Sequence, residues 1–185
     1  EGRKVKAGLR YAEGDTTARV VAYRNRVTNL ISFDYSSTAC VSNFGCYGNT
    51  GRAQYEGVTL AASQRLGDVA LRGSVDWQDP RDLETDLLLG QRARSSGPLG
   101  ADWRVGSWLL GAEVQASAQR YANAANTQVL AGYGLLNLSA STSIGRDLTF
   151  IARLDNAADK DYQLVRGYAT AGRTFYAGLK WAPKY

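Results

Sequence analysis

Apolar and polar residues alternate along most of this chain with a period of two. Val69, Leu71, Val75 and Trp77 oppose Arg72, Ser74, Asp76 and Gln78. Trp108, Leu110, Ala112, Val114, Ala116 and Ala118 oppose Glu113, Gln115, Ser117 and Gln119. Leu136, Leu138, Ala140, Thr142 and Ile144 oppose Asn137, Ser139, Ser141 and Ser143. The closing run "RTFYAGLKWAPKY" places Phe175, Ala177, Leu179, Trp181, Pro183 and Tyr185 on one face, with Tyr176 and Lys180 on the other. Successive side chains of a strand point to opposite faces, so these runs predict half-exposed strands. A weaker strand over 94–105 is interrupted by Gly97-Pro98, and the long segment 16–33 has no clear register. The pattern gives nine strands and no helix.

Tight glycine turns at Gly14-Asp15, Gly67-Asp68, Gly106-Ser107 and Gly145-Arg146-Asp147 separate the strands. The last three glycines are 39 residues apart each time, and longer polar stretches lie between, around 34–50, 80–93, 122–132 and 156–171. Short turns therefore fall at one end of the strands and long loops at the other. In a soluble sandwich or lipocalin-like barrel the apolar face would point inward, over loops of mixed length. In an outer-membrane barrel it points to lipid, with short turns on the periplasmic side. Trp103 and Trp108 flank one short turn, where an interfacial aromatic girdle would sit. Glu, Asp, Arg and Gln recur on the polar face, which suits a wet lumen better than a dry core. The pattern predicts an all-β, antiparallel transmembrane β-barrel.

Composition narrows this picture. Eleven tyrosines, twenty glycines and three prolines suit strands with tight turns. The net charge of +5 is spread among acids rather than gathered in blocks, so nucleic acid is not an expected partner. No run approaches the roughly 18 apolar residues of a membrane helix. The chain has no histidine, which removes Ser-His and Cys-His catalysis, and no enzyme is expected. It has no methionine and opens on "EGRKVKAGLRY", as a processed protein or a piece of a longer one would. Cys40 and Cys46 lie in a loop rich in Ser, Asn and Gly and read as a disulfide of an oxidising compartment; two reduced thiols are the alternative. Neither a metal site nor a cofactor is expected. Asp155, Asp159, Lys160 and Asp161 read as loop ion pairs rather than a metal cluster.

The most specific segments are 154–162 ("LDNAADKDY") and 167–173 ("GYATAGR"), with "YRNRVTNLISFD" and "GRAQYEGVTLAAS" upstream. In content and order they resemble the end of a TonB-dependent outer-membrane receptor, most like the vitamin B12 (cobalamin) transporter branch. The resemblance covers nearly the whole chain, with Ala157-Ala158 and Thr59 departing from the family's pattern. It implies that residues 1–185 are one section, the C-terminal nine strands or so of a 22-stranded barrel whose plug domain and earlier strands are absent. It further implies the bacterial outer membrane as location, its lipid as surroundings and Tyr185 as part of an assembly signal. The implied function is TonB-energised uptake of cobalamin or a related corrinoid, with the TonB complex engaged through the missing plug. A ferric-siderophore receptor of the same family is the nearest alternative, and a complete small barrel with a structural or adhesion role is the next. Ligand contacts would come from Gln91 and Arg92, where cobalamin transporters carry an arginine pair, and from Tyr121. Arg92 would otherwise join a salt bridge of the lumen wall, and Tyr121 an interfacial girdle.

Overall fold

The computed structural model describes residues 1–34, 40–41 and 45–183. Lys184 and Tyr185, the end of the closing strand, lie outside the described residues. The strands are β1 (Gly2–Glu13), β2 (Thr16–Asp34), β3 (Cys46–Leu66), β4 (Val69–Asp82), β5 (Ser95–Val105) and β6 (Trp108–Ser117). They continue with β7 (Arg120–Tyr121), β8 (Val129–Leu130), β9 (Tyr133–Ser143), β10 (Leu148–Asp155) and β11 (Thr174–Trp181). Nine of them form one antiparallel sheet in the order β1-β2-β3-β4-β5-β6-β9-β10-β11, and β7 pairs with β8 alone. There is no helix among the described residues. The expected all-β, nine-stranded meander is what the chain forms.

Gly14, Gly67 and Gly106 each open a two-residue turn at φ 51°, 59° and 58°, with Glu13 paired to Thr16, Leu66 to Val69 and Val105 to Trp108. A positive φ at the first central residue is what a type II′ hairpin turn asks of its glycine. The fourth turn differs. Residues 144–147 make a wider connection closed by the Ile144 amide donating to the Leu148 carbonyl at 3.0 Å, and Gly145 is not left-handed there.

The registers sort the side chains into two faces. On the apolar face Leu9 pairs with Val20, Val20 with Leu60 and Leu60 with Val75. Further round, Leu99 pairs with Val114, Val114 with Leu136, and Phe150 with Leu179. This face is uncovered: Leu99, in the middle of the sheet, is 67% exposed, and Trp77 is 47% exposed. Hidden apolar side chains lie elsewhere, at the long-loop end, in Ala53, Pro80, Leu89, Ala122, Leu130 and Leu135. A soluble sandwich would bury the strand face, and this sheet does not. Trp103 and Trp108 sit on the apolar face beside their turn, Trp108 edge-on to Phe150 with ring centroids 6.4 Å apart.

The Gly97-Pro98 interruption does not break β5. Gly73 pairs with Leu99 and Asp76 with Ser96 in a single register, and only the two positions between them leave the ladder. Pro98 has no N–H to give β4, so the bond is lost without a bulge. At Gly97 an added Cβ would lie 2.0 Å from the Ser74 carbonyl oxygen, so the two backbones meet at a point only glycine can occupy.

Loop boundaries shift where strands extend past the apolar band. Residues 46–50, expected in a loop, are the start of β3, with Cys46 opposite Asp34. The loop expected over 122–132 begins earlier: β6 ends at Ser117, and Tyr121 lies in the separate β7–β8 hairpin.

Candidate ligand-facing loop cap

Three loops fold onto one another at the long-loop end. The first, 83–94, follows β4; the second, 118–132, contains β7 and β8; the third, 156–173, joins β10 to β11. Polar side chains bonded to backbone hold them. Asn126, at φ 56°, grips Leu88 from both sides: its Oδ1 accepts the Leu88 amide at 2.9 Å and its Nδ2 donates to the Leu88 carbonyl at 2.8 Å. Asn123, 2% exposed, accepts the Thr127 and Gln128 amides at 3.2 and 3.1 Å and so shapes the β7–β8 turn. Short polar side chains that mimic a backbone turn suit asparagine here.

Arg120 ties the second loop to the third. It is 7% exposed, and its Nη2 donates to the Gln163 and Leu164 carbonyls at 2.7 and 3.0 Å. Its guanidinium lies 5.7 Å from the centre of the Tyr133 ring, which in turn meets Tyr162 at 4.7 Å. A single guanidinium nitrogen thus bonds two carbonyls of the third loop while the group's charge faces a ring. In the third loop Asn156, 4% exposed and at φ 50°, receives the Lys160 amide at 2.9 Å and donates to its carbonyl at 3.0 Å. Arg173 donates its amide to Asp159 Oδ1 at 2.8 Å.

Of the residues singled out from sequence, Gln91 and Tyr121 are neighbours: the Gln91 amide donates to the Tyr121 carbonyl at 2.6 Å, with Gln91 at φ 59°. Both are half-buried. Arg92 is exposed, and among the described residues it has no ion pair, so the lumen-wall salt bridge considered for it is absent. In the acidic segment, Asp155 pairs with Arg153 at 3.2 Å and Asp159 with Arg173 at 3.6 Å, while Lys160 and Asp161 form no ion pair among the described residues. Cys40 and Cys46 are joined, with Cα atoms 5.5 Å apart. No group of three metal-ligating residues occurs among the described residues. The organising residues Arg120, Asn123, Asn126 and Asn156 were not singled out from sequence; a lone asparagine before a turn is too common a signal.

Below the loops the polar face carries a connected wall. Arg72 pairs with Asp102 and, at 3.2 Å, with Glu113. Tyr23 donates to Asp76 at 3.0 Å, and Thr59 donates to the same carboxylate at 2.5 Å. On the other face, beyond Trp77 at the long-loop end of β4, Arg81 pairs with Asp79 at 2.6 Å and Asp86 at 3.1 Å.

Comparison with known proteins agrees with this geometry. Residues 1–157 match the family described as TonB dependent receptor-like, beta-barrel. The fold is similar to the copper transporter OprC, with a TM-score of 0.81, 22% identity and 98% of this chain covered against 31% of that one. It is similar to the ferric citrate transporter FecA in its unliganded form, at TM-score 0.78, 21% identity, and coverage of 97% and 31%. It is also similar to BauA, the ferric preacinetobactin receptor from Acinetobacter baumannii, at TM-score 0.77, 22% identity, and coverage of 97% and 29%. The chain thus spans about a third of the length of each of these structures. An uncovered apolar strand face, a wet charged one and a family match over most of the sequence lead to one assignment: the chain belongs to the TonB-dependent receptor β-barrel family.

Proposed function

We propose that residues 1–185 form the closing wall and three extracellular loops of a bacterial outer-membrane receptor that takes up a scarce solute using energy from the TonB complex. The TonB contact itself would lie on a plug domain outside this chain. The reading is of a transporter wall, not of an enzyme. The observation that carries it is the division of labour in the sheet: apolar side chains exposed in mid-strand, polar side chains networked on the other face, and a built cap at one end only.

For the cargo we favour cobalamin or a related corrinoid. The segments 154–162 and 167–173 support it, and so does the juxtaposition of Gln91 with Tyr121 beside the exposed Arg92. A corrinoid rim is rich in amides, and glutamine offers it both donor and acceptor while arginine offers a donor fork. The second reading is a ferric siderophore, favoured by the names of two similar structures, a ferric citrate transporter and a ferric preacinetobactin receptor. Binding of radiolabelled cyanocobalamin to outer-membrane vesicles carrying the receptor tests the choice. Saturable binding that falls at least tenfold in Gln91→Ala/Arg92→Ala supports the corrinoid. Binding of a ferric siderophore in its place moves the cargo and leaves the barrel reading intact.

A further inference from the structure

Arg120 is a buried cation with no anion beside it. It is 7% exposed, yet among the described residues it makes no ion pair, and its Nη1 is buried without a hydrogen-bond partner. Its acceptors are the carbonyls of Gln163 and Leu164 and the face of Tyr133. Buried charges are ordinarily paired, and a buried donor with no acceptor is costly. Neutral carbonyls offset only part of that cost. A charged pair of oxygens would suit this guanidinium better than anything now around it.

The strap of chain that covers Arg120 is held by little else. Asp159 Oδ1 accepts the Arg173 amide at 2.8 Å, so the stretch between them leaves and returns at one neck. Among the described residues, 161–172 hydrogen-bond to other elements only through Arg120, with the Tyr162 ring resting on Tyr133 beside it. Their other bonds are internal: Thr170 Oγ1 donates to the Tyr162 carbonyl at 2.7 Å, and the Tyr168 amide to the Val165 carbonyl at 3.2 Å. Gln163 and Leu164 are themselves exposed, so a single strap lies between the guanidinium and water on that side. Asp161, the one carboxylate in 161–172, is exposed and is not paired with Arg120. Tyr133 pairs with Ser117 on the polar face, and Tyr121, next along the chain, accepts the Gln91 amide. The covered cation therefore borders the candidate ligand contacts.

We propose that Arg120 is a covered oxyanion site: the carboxylate or phosphate of a solute reaching the cap takes the guanidinium from the Gln163 and Leu164 carbonyls and so releases the strap 161–172. A guanidinium fork matches two oxygens of such a group in geometry and in charge, and bonds to an ionised acceptor are stronger than those to carbonyls. The exchange gives Nη1 an acceptor, and the two freed carbonyls, already at the surface, turn to water. The site rests on the reading of the cap as the ligand-facing end, and it asks of the solute a negative group rather than a particular skeleton.

The test is hydrogen–deuterium exchange, read by mass spectrometry, on the receptor carrying this segment, purified in detergent and titrated with inorganic pyrophosphate. Exchange of the amides in 161–172 should quicken saturably, by about fivefold, while chloride at equal ionic strength leaves it unchanged. In Arg120→Gln the strap should exchange fast from the start and ignore pyrophosphate. Arg120→Lys keeps the charge and should keep a weaker response, and Arg146→Gln, at the short-turn end, should match the wild type. Should the Arg120 variants fail to fold, the wild type decides alone, by its response to pyrophosphate against chloride. A strap that ignores pyrophosphate, or one that answers it equally in Arg120→Gln, would overturn the site. Cyanocobalamin, which carries a phosphodiester, and ferric citrate, which carries carboxylates, then replace pyrophosphate. Binding of either with the strap still protected would also overturn the site and leave the cargo reading standing. Release by pyrophosphate with neither solute bound would keep the site and remove both cargo readings.

Discussion

The sheet and the loop cap solve the same problem by opposite means. In the sheet, strands such as β2 and β3 satisfy one another through a ladder that any sequence of the right period can form. Its apolar side chains stay exposed with no packed core over them, as the membrane reading proposed above requires. In the cap no long ladder is available, and single side chains close the backbone: Asn126 on Leu88, Asn156 on Lys160, Arg120 on Gln163 and Leu164. The wall is therefore redundant and the cap is not. Losing one wall pair leaves dozens of others, whereas losing one clamp opens a loop.

That contrast can be broken most sharply in the wall itself, at a point where two backbones meet without a side chain between them. Gly97→Val would drive a side chain into the Ser74 carbonyl and force β4 from β5. We expect a cost of about 3 kcal/mol, read as a lower temperature for the heat-induced mobility shift of the receptor in gels. An unshifted transition would mean that the strands separate there without strain.

Arg120→Ala comes next and addresses the cap. It leaves two loop carbonyls without their donor, at a cost of about 2 kcal/mol. Amide exchange in 158–170 should quicken strongly while β9 and β10 keep their protection. Equal quickening in both would erase the distinction between cap and wall. The smallest effect belongs to the wall's polar face. Glu113→Gln removes a half-buried partner of Arg72, which keeps Asp102, and should change stability by less than about 0.5 kcal/mol. A loss several times larger would make that charge pair a structural clamp after all.

The same contrast explains how far the sequence could be read. Alternation at Val69–Gln78 or Phe175–Trp181 reports a physical period, and the observed registers follow it. Gly14, Gly67 and Gly106 could be located because a tight hairpin demands a positive φ at the first turn position. Gly97 looked like a strand breaker because propensity counts residues singly; in the sheet its missing Cβ is what lets two backbones meet. In the cap, Gln91 and Tyr121 were named separately, yet they touch where the first loop lies on the second, beside the Asn126 clamp on Leu88. Their contact has no period and no local signature. The Arg120 clamp spans 43 residues to Gln163, a pairing that turn composition cannot encode.

The most direct test of the central claim is a spin-label scan along β4 in the membrane-embedded receptor, one label each at Ser74, Val75, Asp76 and Trp77. With the apolar face toward acyl chains, labels at Val75 and Trp77 should be relaxed by oxygen, which concentrates in lipid. Labels at Ser74 and Asp76 should be relaxed by a water-soluble nickel chelate. The two accessibilities should alternate in antiphase with a period of two. Nickel access at Val75 and Trp77, or protection of all four sites in a dry interior, would contradict the account.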